Sequence, residues 1–176
     1  MTPKRTELNI AKLKIQPFSL LAEQWMLLSS GDFKTRNFNF MTIAWGSFGT
    51  MWFKPFVMVV VRPPRHTFSF MEKFDSFTIS AFPENFKEDI TFCGKNSGRD
   101  VNKLTKTNLT TEASKKVSAP SFVEAELLFE CKQIYFDDFK PENFQSPDIE
   151  QYYPAKDYHR MYFGEVLYAE GIDKYL

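Results

Sequence analysis

The sequence predicts a mainly β chain, an antiparallel barrel carrying a few short helices. Three observations predict it. Short runs rich in β-branched and aromatic residues recur between turn signals, most clearly Phe56-Val57-Met58-Val59-Val60-Val61. Aromatic residues are 17% of the chain, 20 of them Phe, a supply of flat apolar area that suits a β-rich core, a large dimer interface or a planar ligand. Regular strand–helix alternation is missing, which argues against a doubly wound sheet. At 176 residues the chain is long enough to bury one core, and residues 1–176 read as a single domain.

The elements follow in order. Residues 14–30 hold an apolar stretch around Trp25-Met26-Leu27-Leu28 and end in the turn signal Ser30-Gly31-Asp32. Phe38, Phe40, Thr42 and Ala44 alternate with Asn39, Met41 and Ile43 as in a strand, which Gly46 and Gly49 then break. Residues 56–61 form a buried strand. It stops at Arg62-Pro63-Pro64-Arg65, because neither proline can donate to a ladder. Residues 67–74 read as a helix with Thr67 as its N-cap and Phe68, Met71 and Phe74 on one face. A strand over 77–82 leads to Pro83, which starts a second helix. There Phe86, Ile90 and Cys93 fall about a turn apart, and Gly94 and Gly98 end it. The polar segment 102–120 reads as a surface loop or lid. Two strands, 122–135 and 161–168, flank an acidic and aromatic connection over 137–157, which is either an excursion over a ligand or part of a dimer contact.

Charge and motif content exclude several function classes. The 22 basic and 22 acidic residues cancel, so the basic excess that a polynucleotide partner demands is missing. No run approaches the roughly 20 apolar residues of a membrane span, and the N-terminal Met1-Thr2-Pro3-Lys4-Arg5-Thr6-Glu7 lacks the apolar centre of a signal peptide. The two cysteines, Cys93 and Cys131, and the two histidines, His66 and His159, have no zinc-type spacing, so no metal is expected. A reduced, cytoplasmic protein is the expectation. Neither GxSxG nor GxGxxG occurs, which counts against a serine hydrolase and a Rossmann nicotinamide domain.

Four segments carry potential chemistry. In Asn39-Phe40-Met41-Thr42-Ile43-Ala44-Trp45-Gly46, a strand end offers an indole, backbone donors and a glycine for close approach; a core strand with a buried Trp is the plainer alternative. In Arg62-Pro63-Pro64-Arg65-His66-Thr67, two guanidinium groups and a hydroxyl at a helix start suit an anion, or else a solvated turn with a Thr cap. Cys93-Gly94-Lys95-Asn96-Ser97-Gly98-Arg99-Asp100-Val101-Asn102-Lys103 has the composition of a phosphate loop but not the GxxxxGK[ST] order, and Arg99 beside Asp100 reads equally as an ion pair. In Met161-Tyr162-Phe163-Gly164-Glu165-Val166, an aromatic followed by glycine either closes over a flat ligand or simply packs.

Taken in order, these segments resemble the flavin reductase-like family, particularly its flavoredoxin branch. The carrying residues are Asn39, Met41, Thr42, Ala44, Trp45 and Gly46, then Lys54-Pro55, then Arg62-Pro63, Arg65 and Thr67. Cys93-Gly94, Ser97-Gly98-Arg99-Asp100 and Lys103 complete the set, with a weaker echo at Gly164-Glu165-Val166. The first 30 residues and 137–157 lie outside the resemblance. It implies a six-stranded Greek-key split barrel that binds FMN non-covalently, usually at a homodimer interface. It places Asn39, Met41 and the Thr42–Ile43–Ala44–Trp45 main chain by the isoalloxazine and ribityl. Arg62, Arg65 and Thr67 would serve the phosphate, Ser97, Gly98 and Lys103 would complete that side, and Cys93 and Phe163 would lie near the ring. The implied activity is NAD(P)H-dependent flavin reduction, with NADH or NADPH as co-substrate, a small molecule or protein as electron acceptor and no catalytic side chain. The alternative is an FMN electron-transfer protein reduced by a protein partner.

Overall fold

A computed structural model describes residues 3–176, so Met1 and Thr2 of the N-terminal segment lie outside the described residues. The first half of the chain supplies β1 (Thr6–Glu7), a one-turn helix α1 (Pro17–Ser19), β2 (Met26–Asp32), β3 (Asn37–Ile43), β4 (Gly46–Met51) and β5 (Lys54–Val61). Helix α2 (His66–Lys73), β6 (Ser76–Ala81) and helix α3 (Lys87–Lys95) follow. The second half holds the short strands β7 (Thr111–Glu112) and β8 (Ser121–Phe122) and the long strands β9 (Leu127–Asp138) and β10 (Arg160–Gly171).

The main sheet is antiparallel in the order β3-β2-β6-β9-β10-β5-β4, with β1 added on β10. β5 and β6 follow one another in sequence around α2, yet β9 and β10 lie between them in the sheet, a Greek-key crossover. Alternate side chains of the curled sheet meet in one core: Met26 and Leu28 of β2, Ile43 of β3, Val59 and Val61 of β5, Ile79 of β6 and Phe129 of β9. β3 and β4 are the two ends of the strand order and share no ladder. The barrel is therefore closed by packing and split along this seam. The path holds seven strands, the segment of Gly46 and Gly49 being itself strand β4.

A second apolar layer covers the outer face of β2 and β3. Leu27 and Phe40 pack there against Ile90 and Cys93 of α3 and against Leu109, Phe122 and Ala125. The polar segment 102–120 is thus less of a free loop than expected: it buries Lys103, Leu109 and Ala119 and pairs β7 with β8. Arg5 ties the N-terminal segment to this layer, donating to the carbonyls of Phe122, Val123 and Ala125 and pairing with Glu170 at 2.7 Å.

Several expected boundaries move for identifiable reasons. Ser30-Gly31-Asp32 finishes β2, and the turn is 33–36, organised by the Asp32 carboxylate, which accepts from Lys34 N at 2.8 Å. Gly46 does not break the sheet; a Cβ there would lie 2.6 Å from Met58 O, so the glycine lets β4 run close beside β5. Thr67 is not the N-cap of α2. Arg65 holds that position with extended backbone, and Thr67 lies inside the first turn with its hydroxyl turned to Asn39. Pro83 precedes a single 3-10 turn, Glu84–Phe86, which leads into α3. Gly94 does not end α3: it sits in the last turn, where a Cβ would be 3.2 Å from Thr42 Cβ. The β4–β5 turn places Trp52 and Phe53 at φ 53° and 58°, a left-handed pair usually filled by Asn and Gly.

The connection over 137–157 begins as the end of β9 and continues in two 3-10 turns, Pro141–Asn143 and Pro147–Tyr152. Its rings pack on one another, Phe144 stacked on Tyr153 with centroids 6.0 Å apart and Tyr153 5.0 Å from Tyr158.

Gly164 is the tightest point between β10 and the core, since a Cβ there would lie 2.5 Å from the Phe77 ring and 2.7 Å from Cys131 Cβ. Gly164→Ala is therefore expected to cost about 1–3 kcal/mol by overpacking, read as a lowered urea midpoint. Gly49→Ala, which meets the edge of the Phe56 ring at 3.0 Å, should cost less; equal midpoints for the two variants would refute this packing account.

Candidate functional site

β3 pairs with β2 along one edge and, among the described residues, with no strand along the other. Two adjoining chambers lie along that free edge and share Met41 and Arg65. The first, about 310 Å³, has residues 41–45 as its floor, with Val60, Arg62, Arg65 and His159 around it. The second, about 220 Å³, is enclosed by Asn39, Thr67, Ser97, Gly98 and Lys103.

The donors of the second chamber are arranged for an anion. Asn39, buried at the start of β3, donates from Nδ2 to Thr67 Oγ1 at 2.8 Å. That bond occupies a lone pair of Thr67 and leaves its hydroxyl proton free to donate. Ser97 is set in the same way: its Oγ accepts from Arg99 N at 3.1 Å, and its proton remains available. Gly98 lies so close to Asn39 that a Cβ would overlap the amide oxygen Oδ1, so only glycine leaves this cradle open. Arg65 reaches the chamber while donating to Gly94 O at 3.0 Å. Burial and the neighbouring Arg62 charge both pull its pKa down, which is the strain of a cation wanting a counter-charge. His66 is pulled down as well, by burial and then by Arg99 and Lys103.

Lys103 stands in the wall of this chamber. It is 4% exposed and donates to Phe40 O at 2.7 Å and Cys93 O at 3.0 Å, clamping β3 to the last turn of α3. Burial pulls its pKa down to about 8, partly offset by Cys93. One ammonium proton is left beyond the two carbonyl bonds.

The first chamber is flatter and more aromatic. Trp45 is 46% exposed at its mouth, with the His159 ring centroid 5.1 Å away and the Tyr152 centroid 5.8 Å away in a T-shaped arrangement. Arg62 is fixed by Asp157 at 3.3 Å, by Tyr152 O and by the Tyr153 ring, 5.0 Å from its guanidinium carbon. His159 Nδ1 lies 2.8 Å from Tyr153 Oη, and burial together with Arg62 pushes its pKa down to about 4. The imidazole is therefore neutral near pH 7.

Twelve of the residues singled out from sequence meet along these chambers: Asn39, Met41, Thr42, Ile43, Ala44, Trp45, Arg62, Arg65, Thr67, Ser97, Gly98 and Lys103. Arg62 stands beside the first chamber, not the second. Cys93 and Phe163 line neither. Cys93 is fully buried in the layer under α3, where desolvation pushes its thiol up to about 11. Phe163 packs on Phe56 and Tyr135, across from Met58 on β5. Arg99 and Asp100 form no ion pair with each other among the described residues. His159, Tyr152 and Asp157 were missed by the sequence reading. Their only signal there is a polar–aromatic run directly before a strand, and its meaning comes from the fold.

The donor set fits an anionic ligand with a flat ring: hydroxyl protons and cations at one end, a free strand edge and an indole at the other. The model of the flavin reductase like domain matches residues 18–172. No curated protein sequence gives a significant match. The FMN-binding domain of a flavin reductases-like enzyme from Shewanella baltica superposes with a TM-score of 0.69 at 20% identity, covering 97% of this chain and 78% of that one. Flavoredoxin of Desulfovibrio vulgaris gives 0.65 at 20% identity over 85% and 70%, and flavoredoxin from Methanosarcina acetivorans 0.64 at 19% over 87% and 70%. The split barrel, the open edge of β3 and a family match over most of the sequence place this chain in the flavin reductase-like domain family.

Proposed function

We propose that the chain binds FMN non-covalently along the free edge of β3 and acts as an NAD(P)H-dependent flavin reductase. The observation that carries this reading is the pair of hydroxyls, Thr67 and Ser97, whose acceptor roles are filled inside the protein while their protons remain free beside Arg65. That is a phosphate site with its donors already oriented, so little ordering is left to be done on binding. Bound FMN would supply the redox chemistry, taking up two electrons from NADH or NADPH and delivering them to an acceptor.

The chain's own residues would hold and tune it. Arg65, Thr67, Ser97 and the remaining proton of Lys103 serve the phosphate. The exposed edge of residues 42–45 offers main-chain groups to the polar rim of the ring, and Trp45 covers its side. Arg62 puts a positive charge at the ring chamber, held there by Asp157, and so favours any negative charge that develops nearby. Neutral His159 borders the same chamber without adding charge. No side chain is assigned as a general acid.

A second reading, an FMN electron-transfer protein reduced by a protein partner, is supported by the aromatic rim of Trp45 and Tyr152, 46% and 51% exposed at the chamber mouth. Such a rim suits a protein surface as well as a nicotinamide. The proposal also includes a homodimer, in keeping with the exposed rings of Trp52, Phe53 and Phe136, and a cytoplasmic location. The two cysteines are free and buried, and no helix among the described residues is long and apolar enough to cross a membrane.

Arg65→Ala should weaken FMN binding roughly ten- to a hundredfold, the worth of a charged hydrogen bond of about 1.5–3 kcal/mol, in a fluorescence titration of the apoprotein. Thr67→Val should weaken it less, and unchanged affinity in both variants would refute the phosphate assignment. In anaerobic mixing, rapid bleaching of bound FMN by NADH or NADPH supports the reductase reading, whereas bleaching by dithionite alone supports the electron carrier. For His159, a folded-state pKa of about 4 against 6.5 means that the unfolded chain takes up the proton first. Stability should therefore fall as pH drops from 6.5 toward 4, with a shallower fall in His159→Phe. An NMR titration placing the His159 midpoint near 6.5 would contradict the buried, neutral imidazole.

A further inference from the structure

Of the cations lining the phosphate chamber, Lys103 alone is buried, and it is in no ion pair among the described residues. We propose that Lys103 makes flavin retention pH-dependent: as an ammonium it gives the phosphate a proton, as an amine it opposes the phosphate with a lone pair, and FMN held at neutral pH is released in alkaline medium. The inference rests on the flavin reading above and concerns when the flavin is held rather than where.

The hydrogen-bond geometry carries it. Nζ donates to Phe40 O at 2.7 Å and to Cys93 O at 3.0 Å. An ammonium has three protons, so one remains for a phosphate oxygen. A neutral amine has only two, and the two carbonyls claim both. What is left for the chamber is a lone pair, and the attraction of a full charge is gone as well. The clamp between β3 and α3 survives either way, because each carbonyl keeps a donor. The change therefore falls on the ligand and not on the fold.

The surroundings set the pH at which this happens. Burial without a counter-charge disfavours the ammonium. It pulls the pKa of Lys103 down to about 8, with Cys93 holding it up and Arg65 pressing it further down. The other charged or titratable groups bordering the chamber are His66 on α2, Lys95 at the end of α3, and Arg99 and Asp100 in the loop that follows. β3 adds only Asn39 and Met41, neither of which ionises. Asp89, on α3 beside Cys93, is engaged by the Asn108 side chain at 3.3 Å and by its main-chain N–H at 3.2 Å. Burial pushes the Cys93 thiol up to about 11, and His66 is pulled below 6.5, so Lys103 titrates between them. A bound phosphate dianion favours the ammonium, so affinity starts to fall near the free protein's midpoint and continues until the complex also loses the proton. The unfolded chain keeps this proton up to 10.5, so a rise in pH does not weaken the fold through Lys103.

The test titrates the apoprotein with FMN and with riboflavin, which lacks the phosphate, at about pH 7 and about pH 9.5. The Kd for FMN is expected to rise about tenfold, the worth of one charged hydrogen bond, while that for riboflavin stays within about twofold. Ionisation of the flavin ring is common to both ligands, so their ratio isolates the phosphate. His66→Gln should keep this behaviour, and Lys103→Arg, cationic throughout, should abolish it. An NMR titration of the Lys103 side chain in the native apoprotein, which needs no substitution, should give a midpoint of about 8. A ratio that does not change with pH, a change lost in His66→Gln or kept in Lys103→Arg, or a Lys103 midpoint at 10.5 overturns the inference and leaves the flavin reading intact. Failure of the native protein to bind either flavin overturns both.

Discussion

Among the described residues β3 has a strand partner on one side only, and most of what positions the site depends on that unpaired edge. Had β4 closed the ring onto β3, residues 42–45 would have spent their main-chain groups on a ladder and no cleft would exist. Instead the chain leaves β3 at Ile43 and enters β4 at Gly46, whose missing side chain lets β4 lie against Met58 of β5. Open strand edges invite pairing with other chains. Here the edge is flanked by α3, by the 97–103 loop and by the aromatic connection, so that the remaining access fits a ligand better than a strand.

Holding an open edge in place demands anchors from the outside. Lys103 provides one: its buried ammonium joins Phe40 O of β3 to Cys93 O of α3 and is in no ion pair among the described residues. Such a cation is costly to bury, and its persistence is coherent beside the anion site proposed above. The same imbalance recurs around the cleft. Arg62 is countered by Asp157, Arg65 is in no ion pair among the described residues, and both His66 and His159 are pushed toward their neutral forms. A chain of zero formal net charge thus concentrates positive potential at one location, something the overall balance hides.

The sequence exposed those parts of the fold whose cause is local. Residues 56–61 read as a strand because β-branched residues and two following prolines act over a few positions. The clustering of donors in the second chamber was legible for the same reason, since arginines, hydroxyls and glycines at a strand-to-helix junction have a direct chemical meaning. Gly46 and Gly49 were misread because a glycine that ends an element and one that permits close packing look alike until the neighbour is known. Thr67 looked like a cap because the Asn39 amide that claims its hydroxyl lies 28 residues away in sequence. His159 could not be assigned from sequence at all: its neutrality comes from burial and from Arg62, and its position from a connection whose rings pack only in three dimensions. The turn at Trp52 and Phe53 had no Gly or Asn to announce it.

The central claim is spatial, that a flavin lies along the free edge of β3 with its phosphate toward α2. A crystal structure of the protein grown with FMN tests it most directly. The account predicts the isoalloxazine against residues 42–45 and Trp45, with the phosphate between Arg65, Thr67 and Ser97. A flavin seated elsewhere, or one reversed so that its phosphate meets Trp45 and His159, would contradict it.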